Sequence, residues 1–135
     1  VSCEAALATI AMIEDQNLLQ ASTDKGNYVR KRIDAWTEQF NTVGNVRGKG
    51  LSIGIDIASD KINKTRASEA ALKICNRCFD NGVVIIAVAG NVLRFQPPLV
   101  ITYEQLDTAL NVLEAAISDF ESGKLDNYDT AGQGW

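Results

Sequence analysis

At 135 residues the chain is long enough for one domain with one adequate core, and its 46% hydrophobic and 22% charged content is that of an ordinary globular protein. A net charge of −4 argues against a general nucleic-acid binder, and no apolar run approaches the roughly 20 residues that span a bilayer. With no histidine, neither a Ser-His-Asp nor a Cys-His unit can be built within the chain.

Residues 2–15 are rich in alanine, with Ala6, Ile10 and Ile13 spaced for one face of a helix. Asn17 reads as the N-cap of a second helix from Leu18 to about Phe40, striped by Val29, Ile33, Trp36 and Phe40. Gly26 inside it costs about 1 kcal/mol relative to alanine, which points to a close helix approach. From Val43 to Ile57 the period becomes two. Leu51, Ile53, Ile55 and Ile57 alternate with Ser52, Gly54 and Asp56, a strand with one apolar face. Gly44, Gly48 and Gly50 before it mark a bend or a tight pairing with an incoming strand. Residues 58–65 read as a polar loop. A third helix is expected from about Arg66 to Asp80, with Ala67, Ala71, Ile74 and Cys78 on one face and Asn81-Gly82 as its stop.

Val83 to Val88 is a continuous apolar run, expected to be a central, fully buried strand. Ala89-Gly90-Asn91 turns it back into the next strand as a hairpin. Thr102 and Gln105 make a capping box for a last helix striped by Leu106, Leu110, Leu113, Ile117 and Phe120. From Gly123 the pattern disappears, and residues 124–135 are expected to be a flexible tail, with Trp135 able to dock. The order predicts an α+β domain: a small, mainly antiparallel sheet of three to four strands with helices packed on one face.

The residue that invites a function is Arg94. In Val92-Leu93-Arg94-Phe95-Gln96, Leu93 and Phe95 point to one face of a strand and Val92, Arg94 and Gln96 to the other, before Pro97-Pro98 stops it. A guanidinium there is a candidate fork for a carboxylate or phosphate; the alternative is a strand-end arginine that is solvated or paired with a nearby acid. Other motifs carry less. Gly44-x-x-x-Gly48-Lys49 is one residue short of a phosphate loop and precedes a strand, and the glycines from 48 to 54 are spaced one residue too long for a dinucleotide fingerprint. Cys75 and Cys78 form one CxxC late in a helix; with Cys3 alone besides and no histidine, burial is the expected role rather than zinc or redox chemistry. Asn63-Lys64-Thr65 fits a glycosylation sequon by chance in a chain expected to be cytoplasmic, since no secretory signal pattern is visible.

Two blocks in order carry a resemblance. Val46-Arg47-Gly48-Lys49-Gly50-Leu51-Ser52-Ile53-Gly54-Ile55-Asp56, followed by Asn91-Val92-Leu93-Arg94-Phe95-Gln96-Pro97-Pro98-Leu99-Val100-Ile101-Thr102, resembles the C-terminal small domain of the class III pyridoxal-phosphate-dependent aminotransferases. That group includes the 4-aminobutyrate, acetylornithine, ornithine and putrescine enzymes. Val1-Ser2-Cys3-Glu4-Ala5-Ala6-Leu7-Ala8 is similar to the helix leading from the family's large domain into its small one, so residues 1–123 are covered. The resemblance implies amino-group transfer between an amino acid or ω-amine and a 2-oxo acid. It places the pyridoxal phosphate and its Schiff-base lysine in a preceding large domain, so the chain is expected to bind no cofactor and to be inactive alone. Arg94 is implied to take the substrate carboxylate, and the flanking Asn91, Phe95, Pro97, Pro98 and Leu99 match as well. Gly50 and Gly54 match glycines that shape the sheet. No catalytic, cofactor or metal residue is assigned within the chain. Implied partners are the large domain, an amino acid or amine substrate and further copies in a homo-oligomer, with neither nucleic acid nor membrane. The alternatives are a free-standing, non-catalytic binding or oligomerisation module that keeps the fold, and a plain structural remnant.

Overall fold

The computed structural model describes residues 1–128 and 130. In chain order the elements are α1 (Ser2–Asp15), α2 (Leu18–Ile33), α3 (Trp36–Gln39), β1 (Val43–Lys49), β2 (Ser52–Asp60), β3 (Thr65–Arg66), α4 (Ser68–Asp80), β4 (Ile86–Val88), β5 (Val92–Phe95) and α5 (Tyr103–Glu121). The strands form one antiparallel sheet in the order β1-β2-β5-β4, with β3 pairing the end of β2. Helices α2, α4 and α5 pack on one face of it, giving the expected α+β architecture.

Alternation explains which face they cover. Ile53, Ile55 and Ile57 of β2 face the helices with Leu93 and Phe95 of β5, all 6% exposed or less. Helix α5 contributes Leu106, Leu110, Leu113 and Ile117, and α4 contributes Ala71, Ile74 and Cys78. Each such side chain contributes about 1.5–3 kcal/mol by leaving water, so this layer dominates the stability of the fold. The Thr102–Gln105 capping box forms as expected: Gln105 N donates to Thr102 Oγ1 at 3.2 Å and Thr102 N to Gln105 Oε1 at 3.0 Å. Polar links fasten the helices to one another, with Arg32 of α2 on Glu114 of α5 and Arg77 of α4 on Asp119 of α5.

Gly26 does mark a close approach. A Cβ there would overlap the Gly50 carbonyl, while Ser22 Oγ accepts from Leu51 N at 3.2 Å. The β1–β2 hairpin tip therefore docks on α2, and Gly50, at φ +54, turns the chain there.

Several sequence expectations need correction. Asn17 does occupy the N-cap position of α2, its carbonyl accepting from Ala21 N at 3.1 Å, but it is left-handed (φ 51, ψ 42) and makes no side-chain cap hydrogen bond. The second helix stops at Ile33, because Glu38 N bonds Ala35 O three residues back and α3 tilts onto β1; Trp36 and Phe40 still continue the buried stripe. The stretch 58–65 is not all loop: β2 runs to Asp60, and Ala58 pairs with Arg66 of β3. The run Val83 to Val88 is neither central nor fully buried. Only Ile86–Val88 is strand, it lies at the sheet edge, and Val84 is 76% and Ile86 41% exposed. In α1, no residue is fully buried; Ile13 is half-buried and Ile10 is 53% exposed. After α5, Leu125 is 2% exposed and Asp126 O accepts from Lys73 Nζ at 3.0 Å, so the start of the unpatterned segment packs on the domain. Trp135 lies outside the described residues.

Candidate functional site

The face of the sheet away from the helices is open and polar. Register places four residues in one row across it, Ile86 of β4, Arg94 of β5, Gly54 of β2 and Arg47 of β1. Adjacent strands stand about 4.8 Å apart, so each is an immediate neighbour of the next. Arg94 is exposed on this face while Leu93 and Phe95 are buried on the other, as alternation requires. Among the described residues the Arg94 side chain has neither ion pair nor hydrogen bond, so its two-donor edge is not taken up by a structural acid. Gly54 beside it carries no side chain, and Val92 Cγ1 lies 3.1 Å from where its Cβ would stand. On the other flank stands Ile86.

The backbone under Arg94 is held from both ends. Before it, Asn91 Nδ2 donates to Ile57 O and Ile57 N donates to Asn91 O, each at 2.9 Å, which extends the ladder past the Ala89-Gly90 turn. Ala89 (φ 50) and Gly90 (φ +87) are both left-handed in this hairpin. After it, Lys25 Nζ of α2 reaches the Leu99 carbonyl at 3.1 Å and fixes the Pro97-Pro98 exit. A guanidinium on a backbone so constrained is pre-organised, which favours a directional pair with a carboxylate.

Arg47, in the same row, is committed elsewhere. Its guanidinium pairs with Asp56, and that hydrogen bond, with the carboxylate charge, raises its pKa further above the ordinary arginine value. Sequence reading did not find this pair, since the two residues are diagonal neighbours in a register, Asn45 opposite Asp56 and Arg47 opposite Gly54, that alternation alone does not set. Arg47 and Asp56 border a groove of about 630 Å³ with Lys61, Lys64, Arg66 and Asn91. Lys61 Nζ is held by Thr37 O at 2.5 Å. Reading 58–65 as plain loop concealed this basic rim.

The thiols stand apart from this face. Cys75 and Cys78 are buried in α4, where desolvation pushes their pKa values up to about 11 and about 12. They remain protonated thiols, in keeping with the packing role expected for them. The glycines of the near phosphate-loop match are likewise consumed by structure, because a Cβ at Gly48 would overlap the Ser52 carbonyl oxygen across the hairpin.

With this geometry in view, residues 1–117 match the family model described as aminotransferase class-III. A leucine/methionine racemase of Thermococcus litoralis is 43% identical over 125 residues, which cover 93% of this chain and 28% of that protein. An isoleucine 2-epimerase of Lentilactobacillus buchneri is 43% identical over 136 residues, covering 100% and 30% respectively. A solved transaminase structure with L-alanine superimposes with a TM-score of 0.80 at 34% identity, over 88% of this chain and 28% of its own. The chain thus spans less than a third of the length of the proteins it matches. It belongs to the class III aminotransferase family.

Proposed function

We propose that this chain is the C-terminal small domain of a longer class III enzyme, and that Arg94 binds the carboxylate of its amino acid substrate. The observation that carries the reading is Arg94 itself: exposed on the open face, on a braced strand, with no acidic partner among the described residues. A buried-side pair would make it a structural residue. An outward, unpaired fork is what recognition of a ligand carboxylate requires.

The family depends on pyridoxal phosphate, which supplies an electron sink for carbanions at the substrate's α-carbon. The described residues do not fit that cofactor by themselves. Lys73, the buried lysine, is held by Glu69 at 3.0 Å and by the Asp126 carbonyl on the helix side of the sheet, away from Arg94. Lys25 and Lys61 are engaged by backbone carbonyls, and the Gly48-Gly50 tip is closed against α2. Within the proposal this domain orients substrate and the remainder of the enzyme holds the cofactor. The chain alone is then inactive.

In the full-length enzyme, Arg94→Lys is expected to weaken carboxylate-bearing substrates by about 2–5 kcal/mol, roughly 30- to several-thousandfold in kcat/KM. A simple amine lacking a carboxylate loses much less, and the melting temperature barely moves. Equal losses for both substrate types, or lost stability with unchanged kinetics, would show Arg94 to be structural. The same assay on the 135-residue chain with added cofactor gives no turnover; turnover there would refute the division of labour.

A second reading concerns the reaction. The two relatives at 43% identity are named for racemisation and epimerisation of amino acids, whereas the structural match is a transaminase. Arg94 serves either reaction by the same carboxylate contact. Release of a 2-oxo acid from L-leucine supports amino-group transfer; conversion to D-leucine without it supports racemisation.

A further inference from the structure

We propose that Ile86 is a specificity-determining residue and that the substrate is an amino acid with an uncharged, aliphatic side chain. The inference deepens the reading of Arg94 as carboxylate fork and rests on it. Ile86 is the direct cross-strand neighbour of Arg94, and both belong to the set of alternate residues that faces away from the helices. Nothing in the fold calls for an isoleucine there. It is 41% exposed, and it sits on a three-residue edge strand that no helix covers on this side.

The groove beside it gives the preference its chemistry. A depression of about 400 Å³, within the range of small-molecule sites, runs along the sheet edge, bordered by Val84, Ile86, Arg94, Gln96, Pro97 and Pro98 and reaching Ala109 of α5. Val84 is 76% exposed, so the apolar wall continues past Ile86. Among the described residues Arg94 is the one charged group lining it. One cation satisfies one carboxylate. A second charge on the substrate's side chain would lie against Ile86, Val84 and the prolines with no counter-charge, and the Gln96 amide offsets only part of that desolvation cost. On the opposite flank Gly54 has no side chain, and Val92, whose Cγ1 lies 3.1 Å from where a Gly54 Cβ would stand, is itself buried. A substrate whose carboxylate meets Arg94 therefore gains most contact area by laying an aliphatic chain toward the exposed Ile86.

The test is calorimetric binding to the full-length, cofactor-loaded enzyme with two probes that share the carboxylate and differ in the chain, 4-methylpentanoate and propanoate. The wild-type protein is expected to bind 4-methylpentanoate at least about tenfold more tightly, the discrimination that a few methylenes in an apolar site provide. Ile86→Ala should bring the ratio to about two or less, and Ile86→Leu should retain most of it. A ratio unchanged by Ile86→Ala, equal affinities in the wild type, or no binding of 4-methylpentanoate would overturn the proposal. Arg94→Lys separates the two readings, because it should weaken both probes together and leave their ratio in place. If it weakens neither, the carboxylate assignment fails while the ratio still reports on Ile86. Ile86 is half-exposed at an edge, so loss of the fold is not expected; a melting curve for each variant checks that the ratio is read on folded protein.

Discussion

Gly26 shows how one missing side chain can fix the placement of a whole hairpin. Alanine is the better helix former by about 1 kcal/mol, yet a methyl group there would occupy the space of the Gly50 backbone. Backbone cannot swing aside as a flexible side chain can, so the β1–β2 tip would have to lift off α2. Overpacking of this kind costs about 1–3 kcal/mol, and here the higher figure applies, leaving a net loss of about 1–2 kcal/mol after the propensity gain. The urea midpoint of Gly26→Ala should fall accordingly with an unchanged slope; a rise would mean that the contact is loose. This contact was legible in sequence, since a glycine in the middle of a well-striped helix has to be explained by something nearby. The outward direction of Arg94 was legible too, because Leu93 and Phe95 fix the parity of their strand. Ile86 was not. It lies in a run, Val83 to Val88, that is apolar at both parities, and such a run gives no period from which a face can be assigned.

Elements are joined at their ends by a few charged groups, and Asp119 is one on which three segments converge. It accepts from Arg77 of α4 through two nitrogens, at 2.9 and 3.1 Å, and from Lys124 in the turn after α5 at 2.8 Å. The bond from Lys124, then that from Arg77, hold its pKa below the ordinary 3.8. Because the folded-state value is depressed, the stabilisation is complete above the unfolded pKa and is lost as the pH falls through the folded one. Asp119→Asn should therefore lower stability by about 1 kcal/mol at pH 7, a modest figure for partly exposed partners. The gap between wild type and variant should close below about pH 4. Denaturant titrations of both proteins between pH 3 and 7 check this, and a gap constant across that range would remove the ion pairs from the account. The helix ends themselves tested the sequence unequally. The Thr102–Gln105 box names both partners three residues apart, so it could be read directly. The break after Ile33 has no glycine or proline to announce it; it arises where Trp36 and Phe40 turn onto β1, a tertiary preference over local propensity.

The molecule as a whole carries burial in its sequence that its own elements do not provide. Helix α1 is apolar enough for a core, yet Leu7 is 67%, Ile10 53% and Met12 53% exposed, and among the described residues it rests mainly on α2. At the other end Val100 is 60% exposed. A chain that spans 28% of a relative's length is consistent with such surfaces being contacts to the remainder of a longer protein. Expressed by itself, the 135-residue chain should then self-associate, since exposed apolar patches of this kind are rarely tolerated on a monomer. Leu7 and Ile10 lie three residues apart on one side of α1, so Leu7→Lys with Ile10→Lys places two charges in the centre of the patch. Sedimentation velocity should show the unsubstituted chain as dimers or larger species whose proportion rises with concentration, and the double variant shifted toward monomer. Neither residue touches the main core, so the two proteins should melt alike once association is removed. A clean monomer at high concentration for the unsubstituted chain would mean that α1 is content in water, and the surface would then need no covering partner.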